Sequence, residues 1–333
     1  MGSLSVHITQ PGKSDFHLFE EFPNSIYQKK YPSDKIDEKH LDSCIYILKD
    51  QEVVGRLAIY RNSQLRYLGE GTLAFGNYEC VDDLEVSRLM LNHVCEQAHI
   101  RNINQVIGPI NGSTWNDYRF LDKEFSPRFI FEPVQKNYYP NQLVDVGFQT
   151  IQKYASSLDT ALKYDPNRLE RFDQLMRQHQ LIVRNIRLSD FEHELRSIGV
   201  FCNEAFSQNF LFTPIEINDF VTKYMGIKNL LSEDLMLLVE DEKGKIMAIL
   251  FAFIEPQNPQ WIVLKSLAKS HECPIQGMTA YLIDYLYRKV EQTNIKGCLH
   301  AYMMEGVSSY NSSVRRYKSE VIHRYSLYSK SIV

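Results

Sequence analysis

Gly277 stands where an apolar β-like run gives way to helical spacing, and a junction of that kind can hold an anion. Trp261, Ile262, Val263 and Leu264, followed by Ser266, Leu267 and Ala268, read as a buried strand, and Lys269 to Gln276 as a loop. Tyr281, Leu282, Leu286 and Val290 then fall on one face of a helix that Gly277 opens. A helix N-terminus presents unbonded backbone N–H groups with the positive end of the helix dipole behind them. That arrangement suits a diphosphate, and a glycine lets a ligand come close to the backbone. A second constellation is Asn111-Gly112-Ser113-Thr114-Trp115. A tryptophan among hydroxyls and amides can form a binding wall with polar handles. It can equally be a capped helix start with Trp115 tucked into a seam between domains. Tyr118 and Arg119 can reach an anionic group, or pair with Asp117 or Asp122. Cys95 and His99 lie one helical turn apart, but further ligands are lacking and the six cysteines form no C-x-x-C pair. No metal is expected, and buried reduced thiols are the plain reading.

The elements that would position these residues occur twice. Asp50-Gln51-Glu52 separates the apolar runs Cys44 to Leu48 and Val53 to Tyr60, and Asp241 to Lys245 separates Leu235 to Val239 from Ile246 to Ile254. Both are hairpin signals. Each hairpin is followed by a strand (Thr72 to Cys80, Trp261 to Ala268), an amphipathic helix, a strand (Gln105 to Ile110, Gly297 to Met303) and an asparagine-led segment at Asn111 or Asn311. Each half then closes on aromatic-rich strand material, Phe148 to Leu158 and Ile322 to Ser329. Matching order at matching spacing predicts duplicated domains, 1–160 and 161–333, joined through a charged helical stretch between Leu158 and Gln180. The length, 333 residues, suits two domains. A net charge of −4 with no long run of one sign argues against nucleic acid or an anionic membrane as partner. No apolar run nears the ~20 residues of a membrane span, and no apolar signal core opens the chain, so a cytoplasmic protein is expected.

The order of hairpin, strand, glycine loop, helix, strand, asparagine-led helix and final strand resembles the GNAT superfamily of acyl-CoA N-acyltransferases. The stretch Leu267-Ala268-Lys269-Ser270-His271-Glu272-Cys273-Pro274-Ile275-Gln276-Gly277-Met278-Thr279-Ala280-Tyr281-Leu282 looks like its strand and pyrophosphate loop. The family pattern there is Gln/Arg-x-x-Gly-x-Gly/Ala. Gly277 matches the first glycine, while Pro274 and Thr279 depart from the pattern. The first half, through Tyr78 to Asp83 and Ile107 to Phe120, looks like the same fold with Val81-Asp82-Asp83-Leu84 in place of a glycine loop. Carboxylates at a helix start cap it themselves and repel a diphosphate, so the first domain is not expected to hold CoA. The fold expected is thus α/β (α+β): two acyl-CoA N-acyltransferase-like domains, each a mixed, mostly antiparallel sheet flanked by helices.

The resemblance implies that acetyl-CoA or another acyl-CoA is held by Ser266, Leu267, Ala268, Lys269, Gln276, Gly277, Met278, Thr279, Ala280 and Asn311, without a metal. The carbonyl would be polarised by amides near Leu267 and Ala268. Tyr317 would return a proton to the thiolate, with Tyr310 as fallback. Glu305, or else Glu255, would take one from the amine. Asn209 and Phe212, with Asn111, Ser113 and Trp115, would face the acceptor, a small-molecule or peptide amine. The plain alternatives are helix capping for the asparagines, a packing role for Tyr317 and solvated strand-end carboxylates. The first domain would shape the acceptor site or a homodimer contact. An aminoacyl transferase would need charged tRNA, for which the chain has no basic stripe. A non-catalytic pair of degenerate domains that binds a small ligand or a protein is the alternative to an enzyme.

Overall fold

The structure, a computed structural model, describes residues 3–28, 36–122 and 128–332. The first half runs β1 (Leu4–Thr9), α1 (Phe16–Tyr27), β2 (Leu41–Lys49), β3 (Glu52–Tyr60), the small ribbon β4 (Arg66–Tyr67) and β5 (Glu70–Gly71), then β6 (Leu73–Cys80), α2 (Leu84–Ile100), β7 (Gln105–Gly108), β8 (Phe120–Leu121), α3 (Tyr139–Asp145) and β9 (Gln149–Asp159). The second half runs α4 (Pro166–Gln178), β10 (Ile182–Asn185), α5 (Phe191–Ala205), α6 (Ile217–Met225), β11 (Met236–Glu240), β12 (Ile246–Ile254), β13 (Trp261–Lys269), α7 (Met278–Val290), β14 (Gly297–Met304), α8 (Ser308–Asn311) and β15 (Glu320–Ser331).

The local causes are visible in the chain. Asp50 and Gln51 both take positive φ, which matches the right-handed twist of the β2–β3 hairpin. The Asp241 carboxylate accepts the N–H groups of Lys243 and Lys245, both at 2.9 Å, and so closes the β11–β12 turn. Asp83 caps α2 and Asp165 caps α4, where Pro166 follows at a position that needs no N–H.

All long strands join one mixed sheet in the order β1-β2-β3-β6-β7-β15-β9-β14-β13-β12-β11-β10, with β8 beside β15. The pairing is antiparallel except for β6 with β7 and β13 with β14. The duplicated order of elements is present, but the closing strands are exchanged. β15, from the end of the chain, lies against β7 of the first half, and β9 lies against β14 of the second. The two exchanged strands also pair with each other from Glu320↔Leu158 to Ser329↔Gln149. The sheet therefore has no open edge at the seam.

Helices cover both faces. In the second lobe, α4 and α7 pack one apolar cluster and α5 and α6 another. In the first, α2 and α3 cover one face and α1 the other. Leu211, at φ +56, and Phe210 reach from the second half into the α1-side cluster of the first.

Candidate active site

The sheet opens in the second lobe. Parallel pairing of β13 with β14 runs from Trp261↔Gly297 to Leu264↔His300 and stops. β14 stays paired with β9 on its other edge from Cys298↔Asp159 to Met304↔Tyr154, with a register shift between His300 and Met303, while β13 continues against β12 alone, as far as Lys269↔Ala248. A bulge marks the parting: Ala252 faces Leu264 and Phe251 faces Ser266, which leaves Lys265 as the extra residue. Val263 and Ala268 pack on the α5 and α6 side, and Leu264 and Leu267 on the α7 side. The bulge turns Lys265 and Ser266 to the same face, toward α5 and α6. A chain that loses a strand partner on one side offers backbone groups to an added strand.

The loop beyond is tied at its base. Ser270 donates its N–H to Met247 (2.8 Å), and its hydroxyl accepts the Glu272 N–H (3.1 Å). Gly277 then takes φ +82, a left-handed value that suits glycine. The first helical bond of α7 runs from the Tyr281 N–H to the Gly277 carbonyl at 3.1 Å. Between Ile275 and Tyr281 no backbone N–H makes a well-formed hydrogen bond with the described residues. Gln276 and Gly277 are exposed, Thr279 is half-buried, and Met278 and Ala280 are buried, so the first donors of this run lie at the surface beside the opening. A Cβ on Gly277 would stand 3.2 Å from Phe172, whose ring stacks on Tyr281 at 5.2 Å.

The proposed proton donor and base are both engaged. The Tyr317 hydroxyl donates to the Ala280 carbonyl (3.1 Å) and the Asp284 carboxylate (3.0 Å), so it is held against α7. Asp284 is itself bound by Arg168 at 2.6 Å. Burial raises the Asp284 carboxyl above its usual range, partly offset by Arg168, and burial likewise pushes the Tyr317 hydroxyl up. Glu305 pairs with Arg324 at 3.1 Å. Glu255 is buried and accepts the N–H groups of Ile130 (2.8 Å) and Gln257 (3.1 Å). Asn311 ends the short α8 and leads into a π-helical turn over Ser312–Arg316; it does not begin the helix. Behind the opening, His300 joins Ser313 (2.6 Å) and Tyr287 (2.8 Å), and burial lowers it to about 4, so it is neutral at pH 7.

On the α5 and α6 side the two lobes meet. Trp115 crosses from the first lobe and donates its ring N–H to the Thr213 carbonyl at 2.8 Å. Its ring meets Phe212 and Phe220 edge-on, at 6.0 and 5.8 Å. Trp115, Phe206, Phe220, Phe251 and Ser266 belong to the wall of one apolar cavity of about 50 Å³. The structure thus gathers Trp115, Phe212 and Ser266 at one place. Ser113 lies behind them, its hydroxyl accepting the Trp115 N–H at 3.4 Å. Asn209 is exposed in the loop before α6, and Asn111 is buried in the first lobe.

Two cations at this seam carry weight that the sequence reading did not give them. The Arg119 guanidinium lies over the rings of Tyr118, Tyr154 and Tyr302, at 3.8, 4.5 and 4.6 Å. The Lys265 ammonium lies 5.1 Å from the same Tyr302 ring. The sequence left Arg119 open between reaching an anionic group and pairing with Asp117 or Asp122. Lys265 had no signal, because nothing near it in the chain shows that Tyr302 and Arg119 stand on its side of the sheet.

The matching place in the first lobe is closed. The Ile110 N–H bonds the Phe75 carbonyl (2.7 Å), and the Asn111 side chain accepts the Asn77 N–H (2.8 Å). A Cβ on Gly76 would lie 2.1 Å from that Asn111 oxygen. At the start of α2, Asp83 accepts the Glu85 N–H (2.9 Å) and pairs with Lys49 (3.1 Å). Side chains from α3 and the residue before it cover the rest: Tyr139 accepts the Cys80 N–H (3.3 Å), Tyr138 donates to the Cys80 carbonyl (2.9 Å) and Gln142 to that of Val81 (2.8 Å).

A parallel strand pair followed by a helix occurs in both lobes of the one sheet, with an acid-capped helix start in the first and a glycine-opened one in the second, and this doubled order agrees with the comparison with solved structures. The fold is a tandem GNAT fold. A tandem GNAT protein from the clavulanic acid biosynthesis pathway superposes with a TM-score of 0.55 at 7% identity, covering 99% of both chains. A probable N-acyltransferase of unknown function from Enterococcus faecalis V583 gives 0.58 at 8% identity, over 99% of this chain and 73% of that one. The GCN5-related glucosamine N-acetyltransferase region of a fungal multi-domain β-N-acetylglucosaminidase gives 0.56 at 12% identity. This chain is covered to 99% and spans only 38% of that protein. No protein-family model and no curated protein matches the chain. No helix among the described residues is long and apolar enough to cross a membrane, and no group of three or more His, Cys, Asp or Glu there is placed to hold a metal ion.

Proposed function

We propose that the protein is an N-acyltransferase whose second lobe holds an acyl-CoA, most simply acetyl-CoA, and passes the acyl group to a primary amine in the cytoplasm. The observation that carries this reading is the parting of β13 from β14 directly beside the unbonded N–H groups before Tyr281. In this reading the diphosphate rests on the backbone of Gln276, Gly277, Met278, Thr279 and Ala280, with Asn311 near the pantetheine. The pantetheine pairs along Ser266, Leu267, Ala268 and Lys269, and amides near Leu267 and Ala268 stabilise the developing oxyanion. The amine enters from the cavity walled by Trp115, between the lobes, so that both reactants are positioned by rigid strands. Tyr317 would supply the thiolate's proton after giving up Asp284, and Glu305 would act as base after giving up Arg324.

The engagement of those two side chains favours one other reading, a non-catalytic pair that binds acyl-CoA or a small ligand without turnover. Titration calorimetry with acetyl-CoA, followed by CoA release over a panel of amines, separates the two. Binding with turnover supports the transferase, binding without turnover across the panel supports the second reading, and no binding removes the donor site.

A further inference from the structure

Arg119 comes from the first lobe and Lys265 from the second, and both lie over the Tyr302 ring at the mouth of the opening. Arg119 is buried, with 8% of its surface exposed. Its Nε donates to the Tyr118 carbonyl at 3.1 Å, but its buried Nη1 has no hydrogen-bond partner among the described residues. Tyrosine faces attract the cation, yet a ring face takes no N–H donor as a carboxylate does. A buried donor on a charged group left without an acceptor is costly. Among the described residues neither Arg119 nor Lys265 is in an ion pair with a carboxylate. Like charge compounds the cost. Burial, then Arg119, pull Lys265 down to about 8, the exposed Asp117 opposes them, and Lys223 adds a smaller push downward. Two cations from opposite lobes that share one tyrosine ring, neither in an ion pair among the described residues, make a carboxylate receptor. A guanidinium offers a planar fork that matches a carboxylate.

We infer that this seam binds a carboxylate of the acceptor, so that the amine acylated belongs to an amino acid or a similar carboxylate-bearing amine. This rests on the acyl-transfer reading. Ser266, where the opening begins and the apolar cavity is reached, directly follows Lys265. A carboxylate on Arg119 and Lys265 would therefore leave the amine beside the opening and direct the rest of the molecule toward Trp115 and Phe206.

The test uses the full chain and matched amines: glycine with methylamine, phenylalanine with phenethylamine, lysine with cadaverine. Binding is measured by calorimetry without CoA, and kcat/KM by CoA release with acetyl-CoA. The carboxylated member of at least one pair is expected to win by about tenfold or more in both measurements. Arg119→Gln and Lys265→Met should each collapse that preference, and if Arg119→Gln fails to fold by circular dichroism, Lys265→Met decides. Equal treatment within every pair, or a preference that survives Lys265→Met, overturns the inference. If carboxylated ligands bind selectively while acetyl-CoA does not bind, the anion seam stands and acyl transfer falls. If turnover proceeds equally well on the decarboxylated amines, transfer stands and the seam falls.

Discussion

In the first lobe, β6 and β7 start apart as a GNAT opening would, and the Asn111 side chain then enters the gap to take the Asn77 N–H. In the second lobe, β13 and β14 part after Leu264 and His300, and the N–H groups ahead of Tyr281 keep no acceptor. The helix starts differ in the same sense: α2 begins with an acid that caps it, α7 with a left-handed glycine. One fold has thus been used in two ways. In the first lobe the polar groups are satisfied internally, and in the second the N–H groups before Tyr281 have no acceptor among the described residues. The closed lobe still contributes, because it sends Trp115 and Arg119 into the seam.

The contrast can be broken most severely at Gly76. A methyl group there meets the Asn111 oxygen at 2.1 Å and the Ile110 carbonyl oxygen at 2.8 Å. Gly76→Ala should cost about 3 kcal/mol in urea unfolding, and a loss below about 1 kcal/mol would mean that the gap is not filled as described. Asn111→Ala should cost about 2 kcal/mol, since it removes the buried acceptor of the Asn77 N–H. It should add no acetyl-CoA site, because Asp83, Tyr138 and Gln142 still occupy the helix start; a second site in calorimetry would refute the closed-lobe account. Thr279→Glu puts a carboxylate where a diphosphate would rest while favouring the helix start. It should weaken acetyl-CoA binding about tenfold with the unfolding midpoint unchanged, and undiminished binding would move the donor elsewhere.

The smallest effect is in pH dependence, where the two lobes carry opposite signs. The bond from Lys49, then the Glu85 N–H, hold the Asp83 carboxyl below its usual range. Its folded pKa lies under the unfolded one, so its contribution is present at neutral pH and is lost as pH falls through the carboxylate range. Asp83→Asn should therefore cost about 1 kcal/mol near neutrality and nothing in acid. Burial raises Asp284, so its ionisation opposes folding at neutral pH and that opposition is relieved as pH falls. The stability difference between wild type and Asp284→Asn should therefore slope the other way across the same range. Parallel slopes in urea midpoints would contradict the assignment.

Much of the fold was legible because it depends on short-range chemistry. The Asp50-Gln51 and Asp241–Gly244 turns, the Asp83 cap, the apolar period of α2 and α7 and the left-handed glycine are choices made within a few residues. The Asp83 cap was legible because an acid at a helix start caps it whatever surrounds it, whereas the Asn111, Tyr138, Tyr139 and Gln142 contacts that close the first lobe were not. Asn111 was misplaced, as an acceptor contact, because its partner Asn77 lies on another strand. Tyr317 and Glu305 were picked by position after β14, and position does not show that Asp284 and Arg324 hold them.

The sequence by itself determined the order of strands and helices, the doubling, and which helix start is glycine-opened and which is acid-capped, since backbone preference and local hydrogen bonds decide those. Only the tertiary structure decided that β9 and β15 trade places, because both are aromatic-rich strands of one pattern and only neighbours across the sheet select between them. It also decided that Lys265 faces Arg119. Lys265 keeps the face of Val263, the first lobe brings Arg119 to it, and the bulge adds Ser266; a bulge is set by the register of two strands rather than by either alone.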